Sequence, residues 1–158
     1  MRSIEESMKP ATIPPDLAPD MDYGVLTELV GYCLRRAQIR IYQDFQEVME
    51  SWSITPPRFS AMILIRRNSR MKLTELARAM GIARSGAVEV VNSLAKLGYV
   101  RRCHSETDRR AYALELTDEG SDVLDKASAV VQQHDARISA RLSEDEHVQL
   151  RELLNKLG

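Results

Sequence analysis

The chain has 158 residues, of which 44% are hydrophobic and 28% are charged, a balance typical of one compact folded domain and not of a disordered chain. The longest uninterrupted apolar run, residues 61–65, is far too short to cross a membrane, and we expect no secretory signal. Two cysteines are too few for a disulfide framework, so we expect a cytoplasmic protein with reduced thiols.

The net charge of −1 conceals an uneven distribution along the chain. Residues 1–57 have a net charge of −4, residues 58–112 of +8 and residues 113–158 of −5. A basic middle segment between acidic flanks is typical of a surface that binds a polyanion such as nucleic acid. An ordinary solvated charged face would give the same count, so charge alone does not decide between the two.

The first half of the chain reads as an arm followed by one long helix. Residues 1–21 hold four of the six prolines and no apolar period, which predicts a loosely ordered arm. From residue 22, apolar side chains recur every three or four positions, which predicts one helix of about 30 residues, roughly 45 Å long. The apolar positions are Leu26, Val30, Cys33, Ala37, Ile41, Phe45, Val48 and Trp52. Because one small domain cannot cover so long a face, we expect part of it to meet another chain.

Three short helices are predicted after the Pro56–Pro57 break. Thr55 is a good N-cap, and Pro56 occupies the first helical position. The first helix extends through residue 65, the second covers residues 73–80 and the third covers about 84–97. Gly81 and Gly98 follow the second and third helices, where glycine commonly ends a helix.

The period then changes from that of helices to that of strands. Residues 99–104 and 111–116 alternate as two paired strands, with a polar loop between them. Thr117 is predicted to cap a long helix, and Ser143 with Glu146 forms the capping box of a last one. The apolar face of the long helix is Val123, Leu124, Ala127, Val130, Val131, Ile138 and Leu142, and that of the last helix is Leu150, Leu153, Leu154 and Leu157.

Three short helices followed by a hairpin define a winged helix-turn-helix, so the fold class is mainly α with a small β-hairpin wing. Ala77 is small where the second and third helices approach each other, and Gly81 supplies the tight turn between them. The apolar contacts expected between them are Leu76, Met80, Ile82, Ala87 and Val90. An ordinary helical hairpin is the alternative, but the charged hairpin that follows favours DNA binding.

Three segments resemble the MarR family of transcriptional regulators. They are Leu73-Thr-Glu-Leu-Ala-Arg-Ala-Met-Gly81, Ser93-Leu-Ala-Lys-Leu-Gly-Tyr-Val-Arg-Arg102, and Asp108-Arg-Arg110 followed by Leu116-Thr117-x-x-Gly120. The last is similar to the family's wing signature and is the most specific. The resemblance implies a homodimer, a recognition helix at about 84–97 and a wing at 99–116.

The expected organisation follows from these elements. We expect an N-terminal arm at 1–21, a helical dimerisation region formed by 22–55 and 118–158, and a DNA-binding lobe at 56–117. The expected function is that of a ligand-responsive transcriptional repressor, which binds an inverted-repeat operator in double-stranded DNA as a homodimer.

Candidate base contacts lie on the recognition helix. Arg84 and Ser85 open this helix, whose N-terminal end enters the major groove. Arg84 suits a bidentate pair with guanine, Asn92 suits adenine, and Lys96 is placed for phosphate. Glu89 departs from the family pattern, since a carboxylate near DNA is repelled unless it accepts from cytosine N4.

Candidate wing contacts lie at the loop tip. Arg109 and Arg110 are predicted to project toward the minor groove, with Asp108 orienting one of them. In the family the second arginine is the signature residue, so Arg110 is expected in the minor groove and Arg109 on phosphate. A solvated turn is the alternative.

A small organic anion is the expected effector, either an aromatic acid or an acyl thioester. Cationic and aromatic side chains suit such a ligand, although surface ion pairs are the commoner role of such arginines. The candidate ligand residues are Tyr32, Arg35, Arg36, Arg40, Tyr42, Trp52 and His134.

Other classes of function are less well supported. A thiol-based redox sensor would use Cys33, but we expect Cys33 and Cys103 to be buried structural thiols. No metal-ligand spacing links His104, His134 and His147, no catalytic motif is present, and no cofactor is expected. A winged helix that binds protein would not need the basic middle segment.

Overall fold

A computed structural model describes residues 17–104 and 112–157. The helices are α1 (Val30–Met49), α2 (Pro56–Arg67), α3 (Leu73–Met80), α4 (Arg84–Lys96), α5 (Asp118–Ile138) and α6 (Glu144–Leu154). The strands are β1 (Met71–Lys72), β2 (Val100–His104) and β3 (Tyr112–Leu116). Short 3-10 helices cover Gly24–Glu28 and Glu50–Trp52. The predicted class, mainly α with a small β wing, is confirmed.

The chain divides into two compact units, one up to Gln43 and one from Asp44 onward. In the second unit, α2, α3 and α4 pack against one another, and β3 and α5 pack on α2. The largest fully buried side chains are Met49, Met62, Leu76, Leu94, Leu114, Leu124 and Val91. The last turns of α1, from Phe45 to Met49, belong to this same core.

The single 30-residue helix predicted from residue 22 is wrong. Asp22 accepts a hydrogen bond from the backbone N–H of Gly24 at 2.8 Å, and Gly24 has a φ of +49°. Such local side-chain bonds compete with regular helix. Leu29 is extended, with φ −84° and ψ 120°, so α1 begins only at Val30 although the apolar period starts earlier.

The wing contains one more strand than the predicted hairpin. β2 and β3 pair antiparallel, with Val100 opposite Leu116 and His104 opposite Tyr112. β1 pairs with the other edge of β3, so the strand order is β1-β3-β2. A two-residue strand shows no alternation of its own, which is why the sequence does not reveal it. The part of the predicted strand at residue 111 lies outside the described residues.

The base of the wing is closed by Thr117 and Gly120. The Thr117 hydroxyl donates to the Gly98 carbonyl at 2.6 Å and accepts from Gly120 N–H at 2.9 Å, which caps α5 as predicted. A β-carbon on Gly120 would lie 2.0 Å from the carbonyl oxygen of Tyr99. The Thr-x-x-Gly spacing therefore allows the first turn of α5 to touch the chain just before β2.

The last helix is capped as predicted, but none of its own residues is buried in the described chain. Ser143 accepts from Glu146 N–H, and the Glu146 carboxylate accepts from Ser143 N–H at 2.9 Å. The hydrogen bond from Ser143 N–H is the largest of the causes that hold the pKa of Glu146 below its usual value. The helix limits leave Leu142 before α6 and Leu157 after it.

Candidate nucleic-acid interface

The turn between α3 and α4 is built as the sequence predicts. Gly81 has a φ of +65°, a conformation that glycine adopts without steric cost. Its N–H donates to the Arg78 carbonyl, and Ile82 N–H donates to the Ala77 carbonyl, both at 3.1 Å. Ala77 is buried, as its close-approach role requires, whereas Ile82, predicted as an apolar contact between the two helices, is 38% exposed.

One face of α4 is buried and the other presents polar side chains. Ala87, Val91 and Leu94 are buried one helical turn apart. All five predicted contact residues of this helix are exposed. Four of them are spaced four, three and four positions apart in the sequence, which puts them on one face of the helix. Arg84 precedes that stripe, which consists of Ser85, Glu89, Asn92 and Lys96.

A cationic groove borders the N-terminal end of α4. Its volume is about 370 Å³, and its basic side chains come from α4 (Arg84), β1 (Lys72) and β2 (Arg102). Arg102 Nη2 also donates to Asn92 Oδ1 at 2.7 Å. The groove and the polar stripe of α4 therefore form one continuous surface with a basic edge.

Sequence reasoning missed Arg102 and Lys72 as site residues. The available signal was the strand period, which puts Arg102 on the face of β2 opposite to its neighbours Arg101 and Cys103. The packing of α4 beside this face depends on the tertiary fold, which no local sequence pattern predicts.

The other face of β2 carries a side-chain network. Arg101 Nη2 and Cys103 Sγ both donate to Glu115 Oε2, each at 3.2 Å. The hydrogen bond to Glu115 is the main cause that raises the pKa of the Cys103 thiol, and the hydrogen bonds from Cys103 and Arg101 lower the pKa of Glu115. Cys103 is therefore held as a protonated thiol, which is the less nucleophilic form.

The predicted wing-tip contacts Asp108, Arg109 and Arg110 lie outside the described residues. Their roles stay predictions.

Five of the seven predicted ligand residues lie in the first unit, along α1. The Tyr32 ring is 6.4 Å from that of Tyr23, and Arg35 Nη1 donates to Gln38 Oε1 at 3.2 Å. Tyr42 is exposed, and Tyr32, Arg36 and Arg40 are half-buried.

The other two, Trp52 and His134, lie in the second unit. Trp52 is half-buried and packs on the core. His134 is only 4% exposed, with Nε2 at 3.1 Å from Asp44 Oδ2 and its ring 5.5 Å from that of Phe45, edge to face. The same Asp44 oxygen accepts from Arg137 Nη2 at 2.7 Å. His134 thus packs within a network that joins α1 and α5.

The predicted burial of both thiols is wrong. Cys33 is exposed and Cys103 is half-buried. Cys33 precedes the part of α1 that enters the core, so the apolar face that the helical period predicts is not covered there by the described chain. Among the described residues, no group of three histidines, cysteines or carboxylates is placed to hold a metal ion. None of the helices in this described part of the chain combines the length and the apolar composition that a membrane span requires.

The fold, the exposed face of α4 and the basic groove define a winged helix-turn-helix DNA-binding protein. A sequence profile of the MarR family matches residues 54–112. The chain is 35% identical over 143 residues to a Thauera aromatica protein described as a candidate transcriptional regulatory protein for the hcr operon, an alignment covering 90% of this chain and 86% of that one. The chain belongs to the MarR family of transcriptional regulators.

Solved structures agree with this assignment. The transcriptional repressor CouR, bound to a 23-mer DNA duplex, superposes with a TM-score of 0.80 at 34% identity, over 86% of this chain and 96% of that chain. CouR bound to p-coumaroyl-CoA superposes with a TM-score of 0.79 at 33% identity and the same coverage. Because the family and these relatives are regulators of transcription, the expectation that the chain is not an enzyme is confirmed.

Proposed function

We propose that this protein is a cytoplasmic repressor that binds an inverted-repeat operator as a homodimer and is released by a small organic anion. The observation that carries the proposal is the exposed polar stripe of α4, which lies beside a groove lined by three basic side chains. The likeness to CouR, solved with both a DNA duplex and p-coumaroyl-CoA, supports it. In this proposal, residues 56–117 form the DNA-binding lobe, and 22–55 with 118–158 form the dimerisation region.

The proposed base contacts come from α4. Arg84 pairs with guanine, Asn92 reads adenine and Lys96 binds phosphate. Since Asn92 Oδ1 already accepts from Arg102, a bidentate pair with adenine requires that oxygen to accept a second hydrogen bond, which its two lone pairs allow. Arg102 therefore joins the proposed interface as a residue that orients Asn92.

At the wing, the proposal rests on the resemblance alone. Arg110 enters the minor groove, Arg109 binds phosphate and Asp108 orients one of them. On α4, Ser85 contributes a hydroxyl to the major groove, and Glu89 selects cytosine there by accepting from its N4.

The homodimer is proposed from apolar side chains that the described chain leaves exposed. Leu150, Leu153 and Leu154 of α6 and Leu157 just after it are 41–51% exposed, and the spacing of the first three puts them on one face of the helix. An eleven-residue helix such as α6 is marginal by itself in water, so it needs a surface to pack against. A second copy of this chain, whose α6 carries the same face, is the proposed partner.

The proposed effector is the coenzyme A thioester of an aromatic acid, or the acid itself. The arginines and tyrosines of α1 offer cations for phosphate or carboxylate and rings for an aromatic acyl group. Trp52 and His134 complete the set proposed from the sequence. This ligand class agrees with p-coumaroyl-CoA in CouR.

Two titrations test this function. The first measures binding to an operator, obtained by selecting from a random duplex library with the full-length protein. The second measures p-coumaroyl-CoA, coenzyme A and p-coumaric acid binding with and without that operator. We expect p-coumaroyl-CoA and DNA to weaken each other's binding by the same factor, about 5–150-fold for a typical coupling. Ligand affinity that DNA does not change would contradict release by this ligand, and peroxide-driven release that Cys33→Ser abolishes would favour the redox alternative.

A further inference from the structure

The turn that leads from residues 50–52 into α2 has an unusual backbone. Ser53 has a φ of +53° and a ψ of 33°, in the left-handed region. Only Arg70 shares a positive φ among the non-glycine residues that the structure describes. A serine is held there only where its surroundings fix it. The two carbonyl groups at this turn, those of Trp52 and Ser53, each accept a hydrogen bond from a side chain of the DNA-binding lobe.

Arg58 connects the turn to the recognition helix. Its Nη1 donates to the Ser53 carbonyl at 2.6 Å, and its Nε donates to Ser93 Oγ of α4 at 2.9 Å. The Ser93 hydroxyl in turn donates to the Val90 carbonyl at 2.7 Å. Because a guanidinium presents its donors in a rigid plane, these bonds fix α4 relative to the turn.

Tyr99 connects the same turn to the base of the wing. Its hydroxyl donates to the Trp52 carbonyl at 3.3 Å, and its own carbonyl accepts from Thr117 N–H at 3.0 Å. Burial, followed by the charge of Glu119, raises the pKa of Tyr99. The hydroxyl therefore keeps the proton that it donates.

We propose that these residues, Trp52, Ser53, Arg58, Ser93 and Tyr99, form a junction latch that sets the orientation of α4, and that Arg58 is its central positioning residue for sequence-specific DNA binding. The inference rests on the proposed DNA-binding function but assigns no DNA contact to the latch. Hydrogen bonds to base edges are short and directional, whereas attraction to phosphate tolerates displacement. Loss of the latch therefore lowers affinity for the operator and leaves non-specific binding in place.

The test compares operator and random-duplex affinity in full-length variants at one salt concentration, by fluorescence anisotropy. Arg58→Lys keeps the charge but cannot span both acceptors, and Ser93→Ala removes one of them. Each should weaken operator binding by about tenfold, the factor that one charge-assisted hydrogen bond represents, with random-duplex affinity changed less than about twofold. The double variant should bind the operator no more weakly than Arg58→Lys does, because both changes break the bond between Arg58 and Ser93.

Arg66→Lys is the matched control, since Arg66 is also on α2 but pairs with Asp125 of α5. It should leave both affinities unchanged. Tyr99→Phe removes only the hydroxyl and repeats the test should Arg58→Lys fail to fold. The latch proposal alone is overturned if these variants leave the ratio of operator affinity to random-duplex affinity unchanged, whether neither affinity changes or both fall equally. A wild-type protein that enriches no duplex overturns the DNA-binding proposal together with it.

Discussion

The lack of a β-carbon at Gly120 allows the first turn of α5 to approach the backbone of Tyr99 at the base of the wing. A β-carbon there would come within 2.0 Å of a backbone oxygen, which cannot move as a flexible side chain can. We expect Gly120→Ala to lower the free energy of unfolding by about 1–3 kcal/mol, the usual cost of overpacking, measured by thermal or urea unfolding. Gly86→Ala is the control, because its β-carbon would meet Ile82 at an ordinary 3.6 Å and alanine favours helix by up to ~1 kcal/mol. Equal effects of the two changes would contradict this account of the wing base.

Cys103 is expected to be a slow nucleophile because Glu115 holds its proton. Hydrogen bonding to Glu115 raises the thiol pKa above the ordinary value of 9.0, so the thiolate forms only at a higher pH than in an unfolded chain. In a Cys33→Ser background, alkylation by iodoacetamide should therefore rise at higher pH than in the denatured protein. Glu115→Gln should move that rise to lower pH. Folded Cys103 that reacts at neutral pH as fast as the denatured protein would show that the network does not hold the proton.

At the scale of elements, substitutions in the recognition helix and in the wing should have different effects on DNA binding. Arg84→Ala should relax specificity within the half-site, because Arg84 is proposed to read a base. Arg110→Ala should weaken binding by about 1–3 kcal/mol and change the preference for A·T-rich flanks. The measurement is affinity on a panel of operator variants that differ at single positions. If both substitutions lower the affinity by the same factor on every duplex, the assigned roles are wrong.

Elements whose limits depend on local chemistry could be predicted from the sequence. Gly81 ends α3, and the caps at Thr117 and Ser143 begin the last two helices, because each depends on groups within four residues. β1 and the interruption at Leu29 could not be predicted. β1 exists only through pairing with a distant strand, and the apolar period continues across Leu29.

The candidate site divides in the same way. The helical period was sufficient to place Ser85, Asn92 and Lys96 on one exposed face of α4. The bond from Arg102 to Asn92 was not predictable, because it depends on how the sheet lies against that helix. Likewise, the burial of His134 beside Asp44 was not predictable, because it depends on how α5 packs against the end of α1.

For the whole molecule, the exposed leucines of α6 predict a dimer. Sedimentation at micromolar concentration should show two chains, and Leu153→Glu should shift the protein toward monomer by burying a charge in the interface. Glu152→Gln, which changes the opposite side of the same helix, should not. A wild-type monomer would contradict the dimer and the operator symmetry derived from it.

The central claim is that two recognition helices read one operator. Hydroxyl-radical footprinting of the selected operator tests this claim most directly. We expect two symmetric protected half-sites about one helical turn apart, ~10 bp centre to centre, with an affinity that falls steeply as salt increases. A single asymmetric half-site of protection, or an affinity that salt does not change, would contradict it.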